Sequence, residues 1–199
     1  RVARLDTMVE ALTHRGPDDR GARVEDRIAI GMRRLSIIDT AGGHQPISNE
    51  DGTVWIVYNG ECYNFLELRD ELVSSGHRFT TRSDTEVMVH GYEQWGICGL
   101  AERLNGIFAF CIWDANARKA FLVRDRLGVK PLYYSSRTPA LAFSSELRSL
   151  AHSGLLLPKL DEEAVWTYLF YQYPPTSRTL VAGAERLPAA IEQRPDVLL

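Results

Sequence analysis

Ile107-Phe108-Ala109-Phe110-Cys111-Ile112-Trp113 is an unbroken apolar run, and a polar turn from Asp114 to Lys119 leads straight from it into Ala120-Phe121-Leu122-Val123. Two apolar runs joined this closely read as the strands of a hairpin. Parallel strands need a crossover of a dozen or more residues. The second half is therefore hairpin-connected, which excludes a doubly wound nucleotide-binding fold.

Outward from this hairpin the pattern alternates. Leu5, Met8, Val9 and Leu12 recur at helical spacing, so residues 2–13 are predicted as an amphipathic helix, stopped by His14-Arg15-Gly16-Pro17-Asp18. Arg27 to Asp39 is β-like, with Ile28, Ile30 and Met32 on one parity and Leu35 and Ile37 on the other. A second strand, 53–58, begins after the turn Asp51-Gly52 and ends at Asn59-Gly60, which reads as a tight turn. Asn64 with Glu67, and Ser83 with Glu86, have the spacing of helix capping boxes. Gly76 and Gly96 are the predicted stops of the two helices. Leu132-Tyr133-Tyr134 and Leu141-Ala142-Phe143 read as further strands, Glu146 to Ala151 as a short helix, and Asp161 as the cap of a helix reaching Tyr171. Long apolar strands with amphipathic helices imply sheets stacked on each other and helices outside.

With 199 residues, 45% hydrophobic and 25% charged, the chain has the composition of a soluble globular protein able to bury a large core. A net charge of -3 argues against nucleic acid or anionic membrane as partner, and no apolar run approaches the length of a membrane span. Three widely spaced cysteines, Cys62, Cys98 and Cys111, form no Cys-x-x-Cys pair, which points to a reducing, cytoplasmic setting rather than a disulfide framework. The five histidines lack the local spacing of a metal site, so no metal is expected.

Four segments carry residue types a core would not choose. Arg34 shares strand parity with Ile30 and Met32, so its guanidinium points toward a covered face. There it would bind a ligand carboxylate with its forked N–H groups, or pair with a structural Asp or Glu. Asn59-Gly60 sets a side-chain amide beside a bare backbone N–H, the donor pair an oxyanion site requires, or is an ordinary turn. Asp84 falls in a first helical turn, where it would receive a ligand ammonium or serve the helix dipole. Arg124-Asp125-Arg126-Leu127-Gly128-Val129-Lys130-Pro131 reads as a solvated, charged turn rather than a phosphate loop.

Together these segments resemble the glutamine amidotransferase domain of glutamine-hydrolysing asparagine synthetases. The matching stretches, in family order, are His14 to Asp18, Arg34 to Asp39, Gly43-His44-Gln45-Pro46, Tyr58-Asn59-Gly60-Glu61, Ser83-Asp84-Thr85-Glu86, Gly106 to Phe110, and Arg124 to Tyr134. The resemblance implies an α+β fold, a four-layer α/β/β/α sandwich of the N-terminal-nucleophile hydrolase type. It implies glutamine as ligand, with Arg34 on its α-carboxylate and Asp84 on its α-amino group. Leu35, Ser36, Ile37 and Ile38 would line the pocket through backbone groups, and Glu61 would contribute beside Gly60. The Asn59 side chain and the Gly60 N–H would form the oxyanion hole.

In such domains the attacking group is the thiol of an N-terminal cysteine, and ammonia released from glutamine passes to a synthetase domain that activates aspartate with ATP. ATP and magnesium are expected only in that domain, and no cofactor in residues 1–188. Arg1 falls inside the first helix of the family pattern. The reading is thus of an N-terminally truncated domain over 1–188, lacking the first strand and its cysteine, with a non-family tail over 189–199 and no synthetase domain. The chain as written is expected to be inactive and aggregation-prone at the exposed sheet edge. Expected partners are glutamine and a synthetase domain, with a homodimer compatible. Alternatives are a non-catalytic glutamine-binding or interaction module, or an amidotransferase domain serving another ammonia acceptor.

Overall fold

The computed structural model describes residues 1–36, 39, 42–136, 140–156 and 159–189. Helix α1 (Val2–Glu10) buries Leu5 and Val9 and is followed by a single 3-10 turn at Thr13–Arg15. The chain then forms the antiparallel pair β1 (Asp19–Val24) and β2 (Ala29–Arg34). β3 (Ile47–Ser48) and β4 (Val54–Cys62) follow, then α2 (Phe65–Ser74) and α3 (Asp84–Arg103). β5 (Gly106–Asp114) and β6 (Lys119–Arg124) are the predicted hairpin, paired Asp114 to Lys119 through Ala109 to Arg124. β7 (Tyr133–Ser135), β8 (Ala142–Ser144), α4 (Leu147–His152), α5 (Glu162–Tyr171) and β9 (Glu185–Arg186) complete the fold.

The strands make one antiparallel sheet in the order β3-β4-β5-β6, a two-stranded β1-β2 sheet, and a three-stranded β8-β7-β9 sheet. Burial by face explains the layering. Ile56, Tyr58, Phe110 and Ile112 pack against Leu68, Leu72, Val87 and Leu100 of α2 and α3. The opposite face of the same sheet, through Val57, Cys111 and Trp113, meets Ile28 and Ile30 beside and on β2. Ala109 and Leu122 meet Leu132, Tyr134 and Phe143 around β7 and β8. On the far side, Ala142 and Leu150 pack with Met8 of α1. Helices, a four-stranded sheet, the two smaller sheets, then helices: this is the expected α/β/β/α sandwich.

Several local features differ from the sequence reading, each for a physical reason. Asn59-Gly60-Glu61 is not a turn; it continues β4, with Asn59 opposite Ala109 and Gly60 opposite Phe108. Glycine is required there because the strands approach closely: a Cβ on Gly60 would collide with the Ile107 carbonyl and come within 2.6 Å of Phe108 Cα. α3 passes Gly96, which leaves helical geometry (φ 68°, ψ 177°) before the helix resumes as far as Arg103.

The two capping boxes also resolve differently. Ser83 caps α3 by accepting the Thr85 N–H, but Glu86 turns away to accept from Thr80 and Thr81. Asn64 occupies the first cap position of α2, yet its side chain joins the Asn105 N–H and the Arg103 carbonyl. β1 escapes alternation because Asp19, Arg20 and Arg23 make it polar. Pairing with β2 and the seat of Gly21 against Gln45 hold it instead.

Candidate functional site

A cavity of about 450 Å³ lies between the four-stranded sheet and the β2 and β8 strands, with α1 over it. Arg34, Leu35, Asn59, Gly60, Glu61 and Asp84 all line it. Ser36 does not: its N–H is held by Asp18 Oδ2 at 2.9 Å. Ile37 and Ile38 lie outside the described residues.

Each lining group is placed by its element. β2 alternation puts Arg34 on the covered face with Ile30 and Met32, and only 8% of its surface is exposed. Its Nη2 donates to the Asp39 carbonyl at 2.9 Å, and it sits so tightly against Gly43 that a Cβ there would strike the guanidinium. Asp39 in turn accepts from the Arg82 and Gly42 N–H groups. These bonds, the Arg82 amide foremost, hold its carboxyl below the usual carboxylate range. Asp39 thereby links the loop after β2 to the approach of α3.

The β4 edge facing away from β5 supplies a row of backbone donors. Tyr58 N–H donates to the buried Gln45 Oε1 at 2.7 Å, and Cys62 N–H to Asp84 Oδ2 at 3.0 Å. Backbone groups alternate sides along an antiparallel strand, so the Gly60 N–H points the same way as these two. Asn59 projects from the face it shares with Val57, into the cavity. Its Nδ2 is sealed from solvent and has no hydrogen-bond partner among the described residues. A buried amide left without a partner costs about 1–3 kcal/mol, so this donor is poised for an acceptor that arrives with a ligand.

Asp84 opens α3, where the helix dipole favours its negative charge. Burial nevertheless dominates and raises its pKa above that of an ordinary aspartate, against the lowering effect of the Cys62 amide. An incoming cation would relieve that strain. The Tyr58 hydroxyl beside it is also buried, and desolvation foremost, with the neighbouring Asp84 carboxylate, pushes that phenol well up.

Sequence reasoning missed the positioning groups. Gln45 bridges the β4 edge to α3, accepting from Tyr58 N–H and donating to Thr85 Oγ1 at 3.3 Å. Its only signal was its place in the Gly43 to Pro46 stretch. Arg124 and Asp125 are not a solvated turn either; both are buried and structural. Arg124 donates to the Lys130 and Leu187 carbonyls, and Asp125 accepts from four backbone N–H groups.

Stacked antiparallel sheets between helices thus enclose a donor-lined cavity. The model of the family described as "Glutamine amidotransferase domain" matches residues 1–194, and the chain belongs to that family. It is 41% identical over 185 residues to Asparagine synthetase [glutamine-hydrolyzing] 1 of Bacillus subtilis (strain 168), covering 92% of this chain and 29% of that protein. Asparagine synthetase [glutamine-hydrolyzing] 2 of the same organism is 46% identical over 146 residues, covering 73% of this chain and 19% of the relative. The chain thus spans less than a third of the length of these curated relatives. Among solved structures, the fold is similar to glutamine phosphoribosylpyrophosphate amidotransferase from B. subtilis, with a TM-score of 0.60 and 20% identity over 78% of this chain and 42% of that one. No helix among the described residues is long and apolar enough to cross a membrane.

Proposed function

We propose that this chain is the glutamine-hydrolysing part of an asparagine synthetase. Its role is to bind glutamine and release ammonia for ATP-dependent amidation of aspartate elsewhere in the protein. The observation that carries this reading is the sealed, unpartnered Asn59 amide in a cavity also lined by Arg34 and Asp84. A free amino acid with a side-chain amide presents three groups: carboxylate, ammonium and carbonyl oxygen. Arg34 answers the first, Asp84 the second, and Asn59 Nδ2 with the Gly60 N–H the third. As the carbonyl becomes tetrahedral, negative charge develops on the oxygen those two donors face, and stabilising it speeds acyl transfer. Glu61 and the backbone after Arg34 complete the pocket.

None of the three cysteines suits the role of attacking group. Burial pushes the Cys62 and Cys111 thiols up to about 12, so neither forms a thiolate at neutral pH. Cys62 is occupied as a donor to Asn64 Oδ1. Cys98 is exposed on α3 and does not line the cavity. Cys62, Cys98 and Cys111 are therefore not assigned the attacking role in this pocket. ATP and magnesium serve the aspartate-activating part, and glutamine is the ligand of this cavity.

The exposed apolar side chains of α5, Trp166, Leu169 and Phe170, support a second domain as partner, because a patch of this kind normally marks an interaction face. Calorimetric titration with glutamine tests the reading, alongside Arg34→Ala and an assay of glutamate release. Binding that weakens at least about 10-fold in the variant, the loss of a charge-assisted pair, is the expected result. Equal affinity in both proteins overturns the pocket assignment, and steady glutamate release overturns the assignment of the thiols.

A further inference from the structure

On the far side of the four-stranded sheet from the glutamine cavity, three separate elements bring two histidines and two glutamates together. Glu50 comes from the turn between β3 and β4, His77 from the segment after α2, and His90 and Glu93 from α3. One ligand atom from each lies within 4.8 Å of all the others. His90 Nδ1 is 3.3 Å from Glu93 Oε2 and 3.5 Å from Glu50 Oε2, and His77 Nδ1 is 4.0 Å from Glu93 Oε2.

Glu50, His77 and Glu93 are each fixed by their other polar atom, while the converging His90 Nδ1 and Glu93 Oε2 hydrogen-bond to each other at 3.3 Å. Glu93 Oε1 accepts from Asn49 Nδ2 at 2.7 Å, and Glu50 Oε1 from the Arg78 N–H at 3.1 Å. His77 Nε2 lies 3.2 Å from Gln94 Oε1, a geometry in which it donates and leaves the Nδ1 lone pair facing the cluster. His90 is 99% buried, and its Nε2 has no hydrogen-bond partner among the described residues. That nitrogen faces Glu86 Oε1 at 3.6 Å. Glu86 is itself anchored by the N–H and hydroxyl groups of Thr80 and Thr81. A carboxylate behind the distal nitrogen of a buried histidine is the usual support of a metal-bound imidazole, since it selects the tautomer whose near nitrogen carries the lone pair.

We propose that Glu50, His77, His90 and Glu93 form a binding site for one divalent transition cation of the zinc type. Two imidazole nitrogens and two carboxylate oxygens are a donor set such an ion accepts in four-coordinate geometry. The ion neutralises two carboxylates that otherwise converge on a buried ring. It also clips the β3–β4 turn and the segment after α2 onto α3, the helix that begins with Asp84. The role is structural, since none of the four residues lines the glutamine cavity.

The test is calorimetric titration of Zn2+ into protein stripped with a chelator, repeated on His77→Gln and Glu50→Gln, two positions with partly exposed side chains. One equivalent bound by the unaltered protein, with affinity falling at least about 10-fold in each variant, is the expected result. Undiminished binding in both variants, or no stoichiometric binding at all, overturns the site. A second measurement needs no variant. In nitrogen-detected NMR of the imidazoles, Zn2+ is expected to shift the Nδ1 signals of His77 and His90 and to leave His14, His44 and His152 unmoved. Shifts confined to those other histidines overturn the proposal.

Discussion

The Cys62 amide donates to Asp84 Oδ2 at 3.0 Å, so the last residue of β4 and the first of α3 are tied by the carboxylate that faces the cavity. Burial keeps that carboxylate from ionising as readily as an exposed aspartate. A group whose folded pKa is raised contributes stability below its unfolded value and loses it as pH rises through the folded value. At neutral pH the ionised Asp84 therefore weighs against the fold until a cation joins it. Asp84→Asn keeps an acceptor for Cys62 and removes the charge. It is expected to melt at or above the unaltered protein while glutamine affinity falls by about 1.5–3 kcal/mol, the worth of a hydrogen bond to a charged group. Thermal melts and calorimetry measure the two effects separately; a variant that binds normally removes Asp84 from the site.

The same shift sets a pH dependence for binding. An ammonium is held only by the ionised carboxylate, so glutamine affinity is expected to fall as pH falls through the raised pKa of Asp84. That decline begins at higher pH than the ordinary aspartate value of 3.8 would give. Binding in acid should also release a proton, detectable by titrating in buffers of different ionisation enthalpy. An affinity that stays flat down to the ordinary aspartate range contradicts this.

Gly60→Ala addresses the strand rather than the ligand. The added Cβ would press on the Ile107 carbonyl and on Phe108 Cα, both backbone atoms of the paired strand that cannot rotate away. Overpacking of this kind costs about 1–3 kcal/mol, and here it also spreads β4 from β5 at the oxyanion donor. Denaturant unfolding is expected to show a loss in the upper part of that range. Gly76→Ala provides the contrast: no atom lies within 4 Å of its Cβ, and its cost comes only from a φ of 101°.

The parts of this fold legible in sequence are those where one residue's neighbours along the chain determine its surroundings. The β5–β6 hairpin is such a case, and so is Asp161, whose side chain accepts the Ala164 N–H as a helix cap should. The placement of Arg34 on a covered face followed from β2 parity alone. What stayed hidden depends on groups distant in sequence. β1 is polar and becomes a strand only by pairing with β2. Asn59-Gly60 has the composition of a turn, and the closeness of β5 makes it a strand. Glu86 has the spacing of a capping residue, yet Thr80 and Thr81 capture it. The histidines offered no local metal spacing because Glu50, His77 and the α3 pair meet only after the chain has folded.

Arg124-Asp125 makes the same point and carries a prediction of its own. Asp125 accepts from the N–H groups of Leu127, Val129, Lys130 and Phe108, so one carboxylate organises the turn after β6 and joins it to β5. Burial opposes its ionisation, but these backbone donors outweigh it and hold the pKa below the ordinary 3.8. A depressed folded pKa gives stability that is present above the unfolded value and lost as pH falls through the folded one. Asp125→Asn offers one acceptor oxygen where two were needed. It is expected to cost about 2–3 kcal/mol at neutral pH, the scale of losing charge-assisted bonds to buried donors. In strong acid the unaltered protein loses the same contribution, so the two unfolding midpoints should converge. Midpoints that remain equally separated at all pH values would assign the loss to packing instead.

The cysteines give the most direct probe of the solution structure. The thiolate is the form that reacts, and Cys62 and Cys111 are held protonated by burial, each pushed up to about 12. Cys111 has no surface exposure and Cys62 has 1%. An uncharged alkylating reagent at neutral pH is therefore expected to modify Cys98 quickly and the other two only as the fold opens. Replacing Cys98 with serine should abolish the fast phase and leave the slow one unchanged. The slow phase has further content, because Cys111 faces the cavity while Cys62 lies in the core against α2 and α3. A cavity that breathes would expose Cys111 before Cys62, and bound glutamine should slow only the former. Equal rates that respond equally to glutamine would mean both thiols are reached through global unfolding alone. Rapid modification of Cys62 in the folded protein would contradict the packing of the β4 end on which the Asp84 contact depends.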